Sequence, residues 1–364
     1  MDQIHTIEPA YHPKGKMGFT IDWVPTLKCN YDCSYCVVGP NGHDNSTKHP
    51  SLDKCLTMLK QMYRYTDVMM QPKKIAFKDT ILNISGGESL FHPEIEKILI
   101  ATTQEYEQYA DRWRLKRTIT TNATATEKKW KTVCDNIEKV TFSYHSEGPE
   151  KMKTIFKKNI DHVLKIKKDY DIVLCVFPLK PFWQDCLNFL KYCEDNKLRV
   201  RPKLLDGRFG VYSKEQLAEL APYFKNSNEN IQQVENKSPV YRQTRACCGG
   251  RQMCTNRDLK HYQTQIPRST SGFEGWHCSA NQFFLHGNNV YETYYTTKDC
   301  YNKLDGTIGP IATMDTMEQY IEQIKSTKQP MILKCAQKIC QCGTCAPKSI
   351  HKQNLLDILK IYNH

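Results

Sequence analysis

The residues most able to do chemistry in this 364-residue chain are its 17 cysteines, and their spacing sorts them. Cys29, Cys33 and Cys36 follow one another as C-x3-C-x2-C, three thiols on a stretch short enough to be one tight loop. Three thiolates so placed can hold three irons of a cubane cluster and leave the fourth iron open, whereas a structural iron–sulfur or zinc site takes four protein ligands and is closed. The bare spacing also suits a zinc knuckle with a distant fourth ligand, or a chance grouping in a cysteine-rich chain. A second gathering lies further on: Cys247, Cys248 and Cys254, then Cys278, Cys300, Cys335, Cys340, Cys342 and Cys345. The run from Cys340 to Cys345 suits zinc as well as iron, and vicinal Cys247 and Cys248 do not easily share one cubane. Cys55, Cys134, Cys175, Cys186 and Cys193 stand singly in patterned segments and read as inert core thiols.

Composition narrows the setting. With 40% hydrophobic and 25% charged residues the chain is neither disordered nor low-complexity, and it can bury a sizeable core. No window approaches a membrane span, and the N-terminal MDQIHTIEPA has no apolar signal region. The expectation is therefore a reducing, cytoplasmic setting, in which dense cysteine serves metals or catalysis more than disulfides. Lys and Arg number 51 against 39 Asp and Glu, a net charge of +12 that favours an anionic partner. Basic stretches occur at 112–117, 128–131, 151–168 and 199–203, for which a solvated face is the plain reading. No nucleic-acid motif with its own signature is present.

The elements that must position the first cysteines read as alternating strands and helices. Residues 19–28 form a strand running into the loop at Cys29, and a helix follows Ser51, a capping residue. Strands at 81–84, 118–121, 140–143, 172–177 and 198–201 alternate with helices after His92-Pro93 and at 126–134, 151–167 and 184–195. Such alternation means βαβ units and a parallel sheet. Six strands are too few to close an eight-stranded barrel, so the expected fold is α/β, a partial (β/α)6 barrel with its ligands at the carboxyl ends of the strands. The motif-bearing residues fall there: Cys29, Gly86, Asn122 and His145 follow successive strands. Residues 213–224 read as a helix and 225–240 as a polar junction; residues 281–295 read as a β-hairpin, 315–328 and 352–361 as helices. The expected division is an N-terminal extension (1–16), the barrel (17–212), a helix and linker (213–240) and a smaller cysteine-rich domain (241–364).

These motifs, taken in order, resemble the radical S-adenosylmethionine (radical SAM) enzymes. The cysteine loop carries the aromatic Tyr35 immediately before Cys36, and Ser85-Gly86-Gly87-Glu88 matches the family's GGE motif after the second strand. His92-Pro93, the Thr-Thr-Asn ending at Asn122, the Ser143-x-His145 segment and Arg201-Pro202 sit where the family has like motifs. The resemblance covers roughly residues 17–205. It implies a 4Fe–4S cluster on Cys29, Cys33 and Cys36 whose open iron binds S-adenosylmethionine, and reductive cleavage to a 5′-deoxyadenosyl radical that abstracts hydrogen from a substrate. It further implies that Gly86 and Gly87 admit the methionine moiety, that Glu88 accepts from its ammonium, and that Tyr35, Asn122 and Ser143 adjoin the cofactor.

The C-terminal cysteines resemble the SPASM or twitch extensions of that family, which hold auxiliary 4Fe–4S clusters. The ligands so implied are Cys278, Cys300, Cys340, Cys342 and Cys345, with Cys335 a weaker candidate. The match departs where the family has a Cys just after the hairpin turn, since Glu292 and Thr293 stand there. Partners follow: a flavodoxin- or ferredoxin-type electron donor, a peptide or a nucleotide or nucleic-acid base as substrate, and no membrane. The competing reading is a non-enzymatic, cysteine-rich zinc protein that binds nucleic acid.

Overall fold

A computed structural model describes residues 6–7, 18–36, 48–71, 79–166, 172–177, 181–205, 212–224, 274–289, 293–297, 303–327, 331–336 and 348–361. Six strands run parallel in sequence order: β2 (Phe19–Thr26), β3 (Asp79–Gly86), β4 (Arg114–Thr121), β5 (Lys139–His145), β6 (Ile172–Phe177) and β7 (Val200–Leu204). Helices α1 (Leu52–Met70), α2 (Ile95–Glu107), α3 (Glu127–Asn136), α4 (Glu150–Ile166) and α5 (Trp183–Asp195) connect them, and α6 (Lys214–Phe224) follows β7. This is an α/β fold, a partial (β/α)6 barrel.

Local chemistry sets these elements. Ser51 caps α1 by accepting from the Lys54 amide at 3.3 Å, and Asp53 in the first turn faces the positive helix end. Alternate residues of the strands, Phe19, Ile21 and Trp23, then Leu82 and Ile84, then Val140, Phe142 and Tyr144, go under the helices and build the main core. The intervening residues, among them Asp22, Asn83, Thr118, Ser143 and His145, line the other, concave face. That face is polar: Thr118 Oγ1 donates to Asn83 Oδ1 at 3.1 Å, and Asn83 Nδ2 donates to Asp22 at 2.8 Å. An all-parallel sheet with both faces covered by helices would carry apolar residues here as well.

The C-terminal part joins this sheet. After β8 (His277–Cys278) and α7 (Ala280–Phe283), β9 (Phe284–Asn288) lies parallel beside β2, with Leu285 opposite Ile21. β10 (Tyr294–Thr296) and β11 (Ala312–Thr313) continue outward antiparallel, giving nine strands. The hairpin read at 281–295 is therefore an edge extension of the barrel sheet. α8 (Met317–Ser326) packs on α1, where Arg64 pairs with Glu318 and Glu322, and Tyr65 stacks on Tyr320 with centroids 6.1 Å apart.

A second, four-stranded antiparallel sheet orders β1 (Thr6–Ile7), β13 (Lys348–Ser349), β8 and β12 (Leu333–Lys334), and α9 (Lys352–Ile361) follows it. The segment taken as an N-terminal extension thus supplies a strand to the C-terminal sheet. Of the 213–240 stretch, the helix is present and residues 225–240 lie outside the described residues.

Candidate functional site

The loop 27–36 leaves the carboxyl end of β2, and the three following strand ends each hold it. From β3, the Gly87 amide donates to Thr26 O at 3.1 Å and the Glu88 amide to Lys28 O at 2.8 Å. From β4, Asn122 Nδ2 donates to Asn30 Oδ1 at 2.8 Å, while Asn30 Nδ2 donates to Thr124 Oγ1 at 2.7 Å. From β5, the Glu147 carboxylate accepts from the Ser34 amide and hydroxyl, both at 2.7 Å, and His145 Nδ1 lies 2.9 Å from the Tyr35 hydroxyl. Cys29, Tyr31, Cys33 and Tyr35 are buried together with Val176 of β6, so the loop reaches across the mouth of the half-barrel.

The two glycines have a defined reason to be glycine. A Cβ on Gly86 would lie 2.4 Å from Thr26 O, at a φ of +129°, and one on Gly87 would lie 2.3 Å from Leu27 O and 2.4 Å from Lys28 O. The close approach that requires them is between the two loop backbones. Glu88 is 2% exposed. Its Oε1 accepts from Leu90 N at 3.0 Å and Thr121 Oγ1 at 2.9 Å, and its Oε2 from Asn122 N at 2.6 Å. Burial raises the pKa of this carboxyl, against the pull of those donors. Asn122 is buried, and the next residue, Ala123, adopts a left-handed φ of 57° that turns the chain at the end of β4. Ser143 is buried on β5 at the level of Leu174.

None of the three cysteines is in a disulfide. Burial pushes the Cys29 and Cys33 thiols up to about 12, so each is a neutral thiol until a cationic centre displaces its proton. Cys29 Sγ accepts from the Tyr31 amide at 3.4 Å and faces Asn122 Nδ2 at 3.9 Å. Such N–H···S contacts stabilise a ligating thiolate. Among the described residues no three His, Cys, Asp or Glu side chains surround a single point as one metal ion requires. A cubane asks for something else, since each thiolate meets a different iron. Two buried thiols and a half-buried third on one loop, with amide donors to one sulfur, fit that group. Beside them opens a hollow of about 450 Å³ lined by Lys28, Cys29, Asn30, Tyr31, Asp32 and Phe91.

Of the second cysteine group, Cys278 and Cys335 are described and buried. Cys335 exchanges backbone bonds with the segment before Cys278: its amide donates to Trp276 O at 2.8 Å, and Gly275 N donates to Cys335 O at 2.7 Å. Cys278 and Cys335 therefore share one face of the small sheet as diagonal neighbours. Cys300, Cys340, Cys342 and Cys345 lie outside the described residues, as do Cys247, Cys248 and Cys254. The sequence reading left out Asn30, Thr124 and Glu147. Glu147 had a signal in its place two residues after His145; Asn30 and Thr124 had none, because their pairing exists only across the strand ends.

No family model and no curated protein sequence matches the chain. Among solved structures it is similar to Streptococcus suis SuiB bound to precursor peptide SuiA, at 13% identity and a TM-score of 0.48, over 86% of this chain and 67% of that one. It is similar to native anSMEcpe with bound AdoMet and Cp18Cys peptide at 14% identity and a TM-score of 0.46, over 85% and 84%. For native anSMEcpe with bound AdoMet the match, at 14% identity and a TM-score of 0.41, covers 59% of this chain and only 62% of that chain's length. At such identity and score the likeness carries no functional weight, which rests on the residues of the site.

Proposed function

We propose that this chain is a radical SAM enzyme, with S-adenosylmethionine and a 4Fe–4S cluster on Cys29, Cys33 and Cys36 as its cofactors. The observation that carries the reading is the cysteine loop at the carboxyl end of the first barrel strand, tied by side chains from the ends of β4 and β5 and by backbone from β3. When bound, the cluster supplies one-electron reductive cleavage of S-adenosylmethionine, leaving the protein to bind, orient and exclude water.

This chain's residues divide that work. Tyr31 and Asn122 direct N–H groups at Cys29 Sγ. Tyr35 is fixed by its bond to His145 and by stacking on that ring, with centroids 5.9 Å apart and planes 15° from parallel. Glu88 has three donors on an oxygen pair with about four lone-pair sites, so it retains capacity for the cofactor's ammonium. Gly86 and Gly87 bring that carboxylate over the cysteine loop, and Asn122 and Ser143 stand at the same strand ends. Cys278 and Cys335 support an auxiliary 4Fe–4S cluster completed from Cys300, Cys340, Cys342 and Cys345. The substrate is a peptide or a nucleotide or nucleic-acid base, and an acidic flavodoxin or ferredoxin suits the +12 charge as reductant.

Anaerobically reconstituted, dithionite-reduced protein is expected to convert S-adenosylmethionine to 5′-deoxyadenosine, and Cys33→Ala to abolish the product in a chromatographic assay. Zinc in place of iron and sulfide on elemental analysis, or unchanged product from the variant, refutes the reading.

A further inference from the structure

Glu147 stands two residues past His145, in the turn that leads from β5 to α4. Its carboxylate closes on Ser34, the residue between Cys33 and Tyr35. Oε2 accepts from the Ser34 amide and Oε1 from the Ser34 hydroxyl, both at 2.7 Å. The turn itself packs against the cysteine loop. Gly148 N donates to His145 O at 3.0 Å, and a Cβ on Gly148 would lie 3.0 Å from Tyr31 Cζ.

The two ends of the cysteine loop therefore have unlike surroundings. At Cys29 two N–H groups face the sulfur, from Tyr31 at 3.4 Å and from Asn122 at 3.9 Å. Past Cys33 the hydrogens are taken by oxygen: both Ser34 donors go to Glu147, and the Cys36 amide goes to Cys33 O at 3.0 Å. Burial is the largest cause of the raised Cys33 pKa. The Tyr35 hydroxyl opposes it, and the Glu147 charge adds to it.

Glu88, the other carboxylate at the loop, has a different setting. It is buried under three donors, with the Lys129 charge near it. Glu147 is half-buried, and among the described residues no Lys or Arg side chain pairs with it. Its charge is directed at the Cys33–Cys36 end of the loop.

We infer that Glu147 is a positioning residue that, acting through Ser34, keeps the reduction potential of the cluster on Cys29, Cys33 and Cys36 low. Reduction adds one negative charge to the cluster, and a carboxylate close by makes that addition less favourable. Holding the Ser34 amide and hydroxyl away from the sulfurs acts in the same sense, because hydrogen bonds to sulfur favour the more negative state. A strongly reducing cluster suits electron transfer to a sulfonium, which is a poor acceptor. The inference rests on the cluster reading proposed above, and its test reads a potential in place of S-adenosylmethionine cleavage.

The full chain, reconstituted anaerobically, is titrated with dithionite and mediator dyes, and the reduced cluster is followed by electron paramagnetic resonance. The signal missing from Cys33→Ala protein belongs to this loop, and any signal that variant keeps is the internal control. Glu147→Gln keeps an oxygen to accept from Ser34 and removes the charge. It should bind as much iron and sulfide as the wild type. Its loop signal should move to higher potential by about tenfold in the reduced-to-oxidised ratio, or about 59 mV, with the control unmoved. Glu147→Asp, which keeps the charge, should recover part of that shift. An unmoved potential in Glu147→Gln at full iron content overturns the inference. So does loss of iron from Glu147→Gln, which would leave the carboxylate as a clamp on the loop and nothing more. Wild-type protein that takes up no cluster refutes the enzyme reading and the inference with it, and its iron content tells that result from the other two.

Discussion

Gly87 and Glu88 show how little room the site leaves. A methyl on Gly87 would meet Leu27 O and Lys28 O at 2.3 and 2.4 Å, and both are backbone atoms with no rotamer to escape into. Gly87→Ala is therefore expected to lower stability by about 1–3 kcal/mol through forced backbone movement. It should also lower the iron bound after reconstitution, read from urea midpoints and metal content; a variant with unchanged midpoint and iron would contradict the packing described here. The glycines were legible in the sequence as a place of close approach. Which backbone approaches was not, because Thr26 and Gly86 are 60 residues apart and meet only through parallel pairing of β2 with β3.

The segment entering α1 and the turn after β3 meet through two histidines. His49 Nδ1 lies 3.1 Å from Thr26 Oγ1, and its ring lies 5.0 Å from that of His92. His92 accepts from Glu94 N at Nδ1 and reaches Pro50 O from Nε2 at 3.0 Å, which makes it a neutral ring with its proton on Nε2. Burial lowers His49 to about 4, helped by His92, Lys28 and Lys129, and burial lowers His92 as well. Both therefore bind fewer protons in the folded chain than in the unfolded one. Stability should fall as pH drops from about 6.5, where the unfolded histidines charge, toward about 4, where folded His49 does. The check is the urea midpoint measured across that window; His49→Gln should flatten the dependence, and an equally steep variant would show that other groups cause it.

Barrel and hairpin are tied together by the nine-stranded sheet. Leu285 is fully buried on β9 and opposes Ile21 on β2, the strand that delivers the cysteine loop. Leu285→Ala is expected to cost about 2–5 kcal/mol as a core truncation. Because β9 belongs to the barrel sheet, barrel and hairpin should lose structure in the same thermal transition. Two separated transitions in calorimetry, with only the later-sequence part shifted, would contradict that sharing. Tyr295, whose hydroxyl donates to Gln61 Oε1 at 2.5 Å, and the stacked Tyr65 and Tyr320 bind α1, β10 and α8 into the same unit. Among the described residues no helix is long and apolar enough to cross a membrane.

Much of this molecule can be read one residue at a time. Hydrophobic period and capping residues mark the six strands and their helices, since period and caps are local properties of the chain. The spacing of Cys29, Cys33 and Cys36, the Gly86-Gly87-Glu88 turn and Tyr35 mark the loop for the same reason. Folding settled what depends on long-range pairing. It set β9 against β2, where the hairpin had read as part of a separate domain, and brought the 6–7 strand to the C-terminal sheet. It also placed Cys335 beside Cys278, and it converted the 199–203 stretch from a basic face into a strand whose alternate residues pack on the core. A strand presents each neighbour to an opposite face, so the direction of Val200 and Leu204 exists only once β7 is paired with β6.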